Sequence, residues 1–389
     1  MLVPLYQLMA AQATFDLTFL ALTTGAAVLE RAGIPYLGFK DLVTLPQDEA
    51  ALAAGRELAE SVPGGQLKSG LEETVAYLGL SYQDLAGRLG EAAARRAYEK
   101  DGRRAFLPLG VLGRLFDRLQ PDLVITTNSP RAEKAAILTA RERGVAAICL
   151  VDLFGEPDVE YVGRAGYADR VCVLSEITRD FLVKAGRQPA EIVVTGNPAF
   201  DRWADPALPA RAQELRSRMG WQGRKVLLWA SQPEPAPNIG LPRSVDAELF
   251  RVLARHPEWQ LVIRPHPSET VSYDSLPANI VISAAGDDLS ALVAASDLVI
   301  TFNSTLGLEG VMIGKPLVTV DLSVQCQYLP YSKMGLATGV SRLPDLEAGI
   351  VLALAAGPQK GAAIPAPGSA AARVMQVAQD LLAPRGGWG

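Results

Sequence analysis

The chain has 389 residues, 49% hydrophobic and 20% charged, which is enough to bury a sizeable core and to form two domains of ordinary size. A formal net charge of −5 and a pI near 5.3 exclude a chain-wide basic footprint for nucleic acid, so any phosphate must be bound locally. Cys149, Cys172 and Cys326 stand far apart without metal-ligand spacing and read as buried thiols of a reducing compartment. No apolar run reaches the roughly 18 residues of a membrane span, so a cytoplasmic protein is expected.

In chain order, "VPLYQLMAAQ" predicts a first helix, followed at once by the strands "FDLTFLAL" and "GIPYLGF". An alternating α/β chain ordinarily opens on a strand, and here that strand is missing. Either the true start lies upstream or the fold dispenses with it. Because a missing strand would leave backbone groups unpaired, the first reading is preferred. Residues 43–118 read as a helical insertion, serving either for packing alone or as a lid or acceptor-contacting surface. The strands "PDLVITT", "VAAICLVD", "DRVCVLS" and "EIVVTG" complete the first half, and prolines near 202–207 break the periodicity. "KVLLWAS", "WQLVIRP", "NIVIS", "SDLVIT" and "KPLVTV" build the second. The expected fold class is α/β, with two doubly wound parallel-sheet domains at 1–204 and 205–368. A last helix within 369–389 returns to the first domain, and a ligand is expected in the crevice between the two.

Candidate chemistry collects at strand ends. In "VIRPHPSE" the strand ends at Ile263, and Pro265 and Pro267 stiffen the backbone around His266. Arg264 offers a charged fork to an anion, and His266 a donor or proton for a leaving phosphate. The other reading of an isolated histidine is a loop cap. After "DLVITF" a helix begins with Ser304 or Thr305 at its N-cap. The amides of Thr305, Leu306 and Gly307 and the helix dipole then form an anion pocket, with Gly307 permitting close approach. Glu309, one turn on, is placed to accept from a ribose diol. Ser231 and Gln232 open a third loop, "SQPEPAPNIG", either as donor contacts or as plain surface.

The order R-P-H-P, then N-S-T-x-G-x-E and G-K-P, resembles the C-terminal half of GT-B glycosyltransferases, a fold of two Rossmann-like domains. It is most similar to bacterial capsule and cell-wall polymer enzymes: CDP-glycerol glycerophosphotransferases, Kdo transferases and bacterial sialyltransferases. "IVVTGNPAFD" is similar to a segment of UDP-N-acetylglucosamine 2-epimerases. The resemblance spans roughly 120–320. It implies that Arg264, His266, Ser304 and Thr305 contact donor phosphates and that Glu309 contacts the ribose. Neither the sialyltransferases' acidic motif nor the epimerases' acidic, histidine-bearing loop is present in its usual form.

A base is therefore sought in "CLVDLFGEPDVEYVG", where Asp152 is the first candidate and Glu156 the second, against the alternative of a solvated acidic loop. Ser129 and Arg131, in "TTNSPRAEKAA", either touch acceptor or sugar or cap a helix. The expected activity is that of a glycosyltransferase of surface-polysaccharide or glycolipid synthesis, metal-independent and without a cofactor. Its donor is a cytidine- or uridine-type nucleotide sugar, and its acceptor a glycan or lipid-linked hydroxyl met at the inner face of the membrane. A nucleotide-sugar 2-epimerase and a catalytically silent nucleotide-binding module are the alternatives.

Overall fold

A computed structural model describes residues 1–12, 14–22, 24–61, 70–155, 158–273, 275–358 and 364–383. The chain forms two compact units, one from Met1–Leu174, Thr178–Ala199 and Ser369–Gly389, the other from Ser175–Ile177 and Phe200–Gly368.

In the first unit α1 (Leu2–Ala11) and α2 (Thr24–Arg31) precede a helical block of α3 (Glu49–Glu60), α4 (Leu71–Leu89), α5 (Glu91–Asp101) and α6 (Leu109–Leu119). Then β1 (Leu123–Thr127), α7 (Ala132–Glu142), β2 (Ala146–Leu150), α8 (Val159–Val162), β3 (Arg170–Val173), α9 (Glu176–Lys184) and β4 (Ile192–Val194) follow. The sheet is parallel, in the order β1-β2-β3-β4. Alternate residues of its strands pack on opposite sides, as the period of two demands. Ile148, Leu150 and Cys172 share one core with Leu5 and Met9 of α1, whereas Ala147, Cys149 and Val171 share another with Ala135, Ala136 and Ala140 of α7 and with Leu112, Leu115 and Phe116 of α6.

The two predicted strands "FDLTFLAL" and "GIPYLGF" require correction, because among the described residues they meet only through one parallel bridge, Leu20 with Leu37, and join no ladder. A cavity lined by residues 14–22 and by β1 lies along that edge, where the segment has no strand partner among the described residues.

The second unit runs α10 (Leu208–Arg218), β5 (Lys225–Ala230), α11 (Leu241–Arg255), β6 (Trp259–Arg264), β7 (Ile280–Ile282), α12 (Leu289–Ala295), β8 (Leu298–Thr301), α13 (Thr305–Met312), β9 (Leu317–Val320), β10 (Thr338–Val340) and α14 (Leu346–Ala356). Its parallel sheet has the order β10-β9-β8-β5-β6-β7, which is 3-2-1-4-5-6 counted from its own first strand and read from β7. β10, three residues with a central glycine, carries too little pattern to be foreseen. β5 and β8 are buried along nearly their whole length, as a sheet covered on both faces requires. Trp229 is fully buried there, and its indole N–H donates to Asp246 Oδ1 at 2.8 Å.

The last helix, α15 (Ala370–Leu382), belongs to the first unit. Val374, Met375 and Ala378 pack with Leu5, Met9, Ile148 and Leu150. No helix among the described residues is long and apolar enough to cross a membrane.

In the helical block α3 and α4 cross with backbones in contact. A Cβ on Gly55 would lie 2.2 Å from the Val75 carbonyl, and one on Gly79 2.1 Å from that of Ala51. Gly79→Ala should therefore force the helices apart and cost about 1–3 kcal/mol. Gly87→Ala, in the same helix but facing open space, should be neutral or stabilising by up to about 1 kcal/mol. Urea midpoints of the two variants check this contrast.

Candidate functional site

Three loops of the second unit leave its sheet from one line. Ala230 is level with Arg264 on one side and with Thr301 on the other, so the segments after β5, β6 and β8 emerge together at the carboxyl edge. The strand order reverses between β5 and β8, and in open α/β sheets the crevice outside the carboxyl ends at such a point is where ligands bind. Gln232 spans it. Its side-chain oxygen accepts from the Asn303 amide N–H (3.1 Å) and from Thr301 Oγ1 (3.2 Å), and its Nε2 donates to Asn303 Oδ1 (3.1 Å).

The Pro-His-Pro loop is braced from below. Glu269 accepts the His266 N–H at 2.9 Å, and its other oxygen takes Ser231 Oγ at 3.1 Å and Arg243 at 3.0 Å. His266 itself is exposed. Its Nδ1 accepts the Ser268 N–H at 3.2 Å and lies 2.7 Å from Ser268 Oγ. With Nδ1 as acceptor, the neutral ring carries its hydrogen on Nε2, the atom that can donate to an anion.

Other predicted contacts are spent inside the protein. Arg264 turns toward the β7 side, donating to Ser283 Oγ at 3.0 Å and to the carbonyls of Ala284 and Ala285. Ser231 is buried beneath the loop. At the start of α13, Ser304 Oγ caps the Leu306 N–H at 3.3 Å and its carbonyl takes the Gly307 N–H at 3.0 Å. These two amides are therefore engaged within the turn, which corrects the expectation that they are free for an anion. Gly307 faces the sheet instead of a ligand, because a Cβ there would meet Leu317 at 2.9 Å and Thr301 at 3.0 Å. The Thr305 side chain is exposed. Glu309 is buried and paired with Arg202 at 2.8 Å.

In the first unit the carboxyl ends of β1, β2 and β4 carry a polar cluster that sequence patterns only half revealed. The Asp152 N–H donates to Asn128 Oδ1 at 2.9 Å, and Asn197 Nδ2 donates to Asp152 Oδ1 at 3.2 Å. Asn128 also donates to Asp158, whose other oxygen takes the Tyr161 hydroxyl at 2.7 Å. Burial, with Asp158 alongside, pushes the Tyr161 phenol far up, so it stays a donor. Asp152 is exposed and opens a turn closed by the Gly155 N–H on its carbonyl, with Leu153 in the left-handed region at φ 48°. A non-glycine residue held there costs about 1–3 kcal/mol, and such strain gathers at functional sites. Ser129 and Arg131 lie half-buried at the start of α7, where the Ser129 carbonyl accepts from Lys134 and that of Arg131 from Ala135. Glu156 falls outside the described residues. Asn128 and Asn197 were missed because single asparagines after strands look like ordinary turn residues.

No protein-family model and no curated protein sequence matches the chain. Solved structures do. A Listeria monocytogenes structure designated a UDP-N-acetylglucosamine 2-epimerase aligns with TM-score 0.59 at 16% identity, over 97% of this chain and 92% of that one. The UDP-GlcNAc 2-epimerase of Methanocaldococcus jannaschii aligns with TM-score 0.58 at 13% identity, over 97% and 96%. The Neisseria meningitidis UDP-GlcNAc 2-epimerase bound to UDP-GlcNAc gives 0.50 at 14% over 70% and 80%. The fold is GT-B. At such identities the likeness is one of chain arrangement, and the GT-B chain here places its own residues at the strand ends.

Glu309 supplies a test within the second unit. Burial raises its carboxyl above the ordinary value of 4.5, and Arg202 pulls the other way. Since the folded-state value is the higher one, ionisation costs stability as pH climbs from the unfolded value through the folded one, and nothing below it. Arg202→Ala removes the counterweight. Its melting temperature should fall further below wild type at pH 7.5 than at pH 4, by about 2–4 °C for each kcal/mol lost, and Glu309→Gln should flatten the pH slope. Arg202 is half exposed, so the loss is expected near 1 kcal/mol. Thermal melts at the two pH values check it.

Proposed function

We propose that this protein acts on a nucleotide-activated sugar and transfers the sugar to an acceptor hydroxyl. The nucleotide phosphates are held at the β5–β8 switch point of the second unit, and Asp152 of the first unit is the general base. The observation that supports transfer is the exposed carboxylate of Asp152, which accepts from Asn197 while the residue's backbone N–H donates to Asn128, on a strained turn at a strand end. One base suffices for transfer, because only one proton is removed. Asp152 takes the acceptor hydroxyl proton and the acceptor oxygen bonds to the anomeric carbon. The bond from that carbon to the phosphate oxygen breaks, and the nucleotide leaves with its electron pair.

The residues kept open for the phosphates are His266, through its Nε2 hydrogen, and Thr305 on the first turn of α13. Ser231, Gln232, Arg264, Ser304, Gly307 and Glu309 position these groups or brace the loops that carry them. The motif resemblance supports an acceptor of the glycan or lipid-linked class.

A second reading, epimerisation of the sugar at its second carbon, is favoured by the fold neighbours solved as UDP-GlcNAc 2-epimerases, one of them with UDP-GlcNAc bound. It needs proton exchange at the sugar carbon and so a second acid or base.

Incubation with UDP-GlcNAc, with and without a mixture of glycoside acceptors, separates the readings. Transfer predicts UDP release that depends on acceptor. A new sugar-nucleotide isomer formed without acceptor would establish epimerisation instead, and bound nucleotide with no turnover of any donor tried would leave a binding module. Under either catalytic reading Asp152→Asn should lower turnover by about 10²–10⁴-fold and leave nucleotide affinity within about twofold. His266→Ala should weaken UDP binding by about tenfold, near 1.4 kcal/mol, measured by calorimetry.

A further inference from the structure

The first unit holds an apolar slot where the second unit holds its central strand. In the second unit β5 lies between β6 and β8 and pairs with both. β5 leads into α11, and α11 leads into β6, its neighbour. In the first unit α1 likewise leads into residues 14–22, which meet the next segment through the Leu20–Leu37 bridge, while β1 stands at the edge of the sheet. A cavity of about 760 Å³ separates residues 14–22 from β1 and is lined by both.

Its walls are those of a strand position. Leu5 and Met9 of α1 line it, as do Leu115 and Phe116 of α6, and these two helices belong to the cores on opposite faces of the sheet. The backbone of the two edges is set for pairing. The Phe19 carbonyl and the Ala21 amide are bonded to Leu37, at 2.7 and 2.9 Å, so in strand geometry the amide and carbonyl of Leu20 point the other way, toward the slot. β1 has no strand on its outer side among the described residues and is mostly half-buried, whereas β2 beside it is almost wholly buried. An apolar, unpaired edge of this kind is the template for one more strand.

We propose that the slot takes a parallel β-strand of about five or six mostly apolar residues, which completes the sheet between residues 14–22 and β1. The strand is the segment of this same chain that leads into α1, ahead of Met1. Its place in the chain follows from connectivity. A strand, α1 and residues 14–22 make one parallel crossover unit, the counterpart of β5, α11 and β6, and such units run from a strand through a helix to the strand alongside. The added strand would occupy the switch point of the first sheet, with its carboxyl end opening beside Asn128, so it bears on the polar cluster without depending on which reaction that cluster performs.

The experiment is the intact mass and N-terminal sequence of the protein isolated from its own cells, followed by amide hydrogen exchange on that form and on the 389-residue chain. The expected native mass exceeds that of the 389 residues by at least about ten residues, the strand plus its turn. Peptides covering 15–22 and 123–127 should exchange at least about tenfold more slowly in the longer form. A native N-terminus at Met1 overturns the proposal, as does a longer form whose two peptides exchange at unchanged rates. A co-purifying lipid, or a dimer of the 389-residue chain that protects those same peptides, also overturns it and names a different occupant.

Discussion

The register of β5 against its two neighbours is the constraint on which the second unit's candidate site depends. Ala230 sits level with Arg264 and Thr301, and this alignment makes three loops, far apart in sequence, leave the sheet as neighbours. A slip of one residue would turn the buried Trp229 away from Asp246, so this buried hydrogen bond helps to fix the register and the register fixes the loops. Gln232 then completes the alignment, since one side chain satisfies both Thr301 and Asn303 across the point where the strand order reverses.

Much of the polarity near that edge is scaffolding. Glu269 gathers Ser231, Arg243 and the His266 backbone around one carboxylate, and Arg264 ties β6 to the turn after β7. Each bond removes a conformation the loop would otherwise sample, which leaves His266 held on a stiff support with its outer nitrogen available. The first unit uses amides for the same purpose. Asn128 joins Asp152 to Asp158, and Asn197 restrains Asp152 from the side of β4.

Legibility in the sequence tracks its periodicities. The nine strands that entered ladders where the pattern foretold them combine short apolar runs with flanking turn residues, and both parallel sheets follow from the helices between them. "FDLTFLAL" has the same composition but forms only a bridge, because composition reports the suitability of a segment for a sheet and says nothing of whether a partner lies beside it. The site was legible to the level of loops. "RPHP" and "NST" stand at two carboxyl ends of one sheet, as their patterns indicated, yet whether a side chain faces outward or braces its neighbours depends on residues distant in sequence. Arg264 finds Ser283 and Glu309 finds Arg202, and no local pattern announces either meeting.

The return of α15 to the first unit has a consequence for the order of events during synthesis. Val374, Met375 and Ala378 cover Ile148 and Leu150, yet they are translated only after the whole of the second unit. The second unit draws almost all its residues from one continuous stretch and can settle while the ribosome is still at work. The first must wait, its sheet covered on that face by α1 alone, until α15 leaves the exit tunnel. During that interval the apolar strands β2 and β3 are the part of the nascent chain that a chaperone would find exposed.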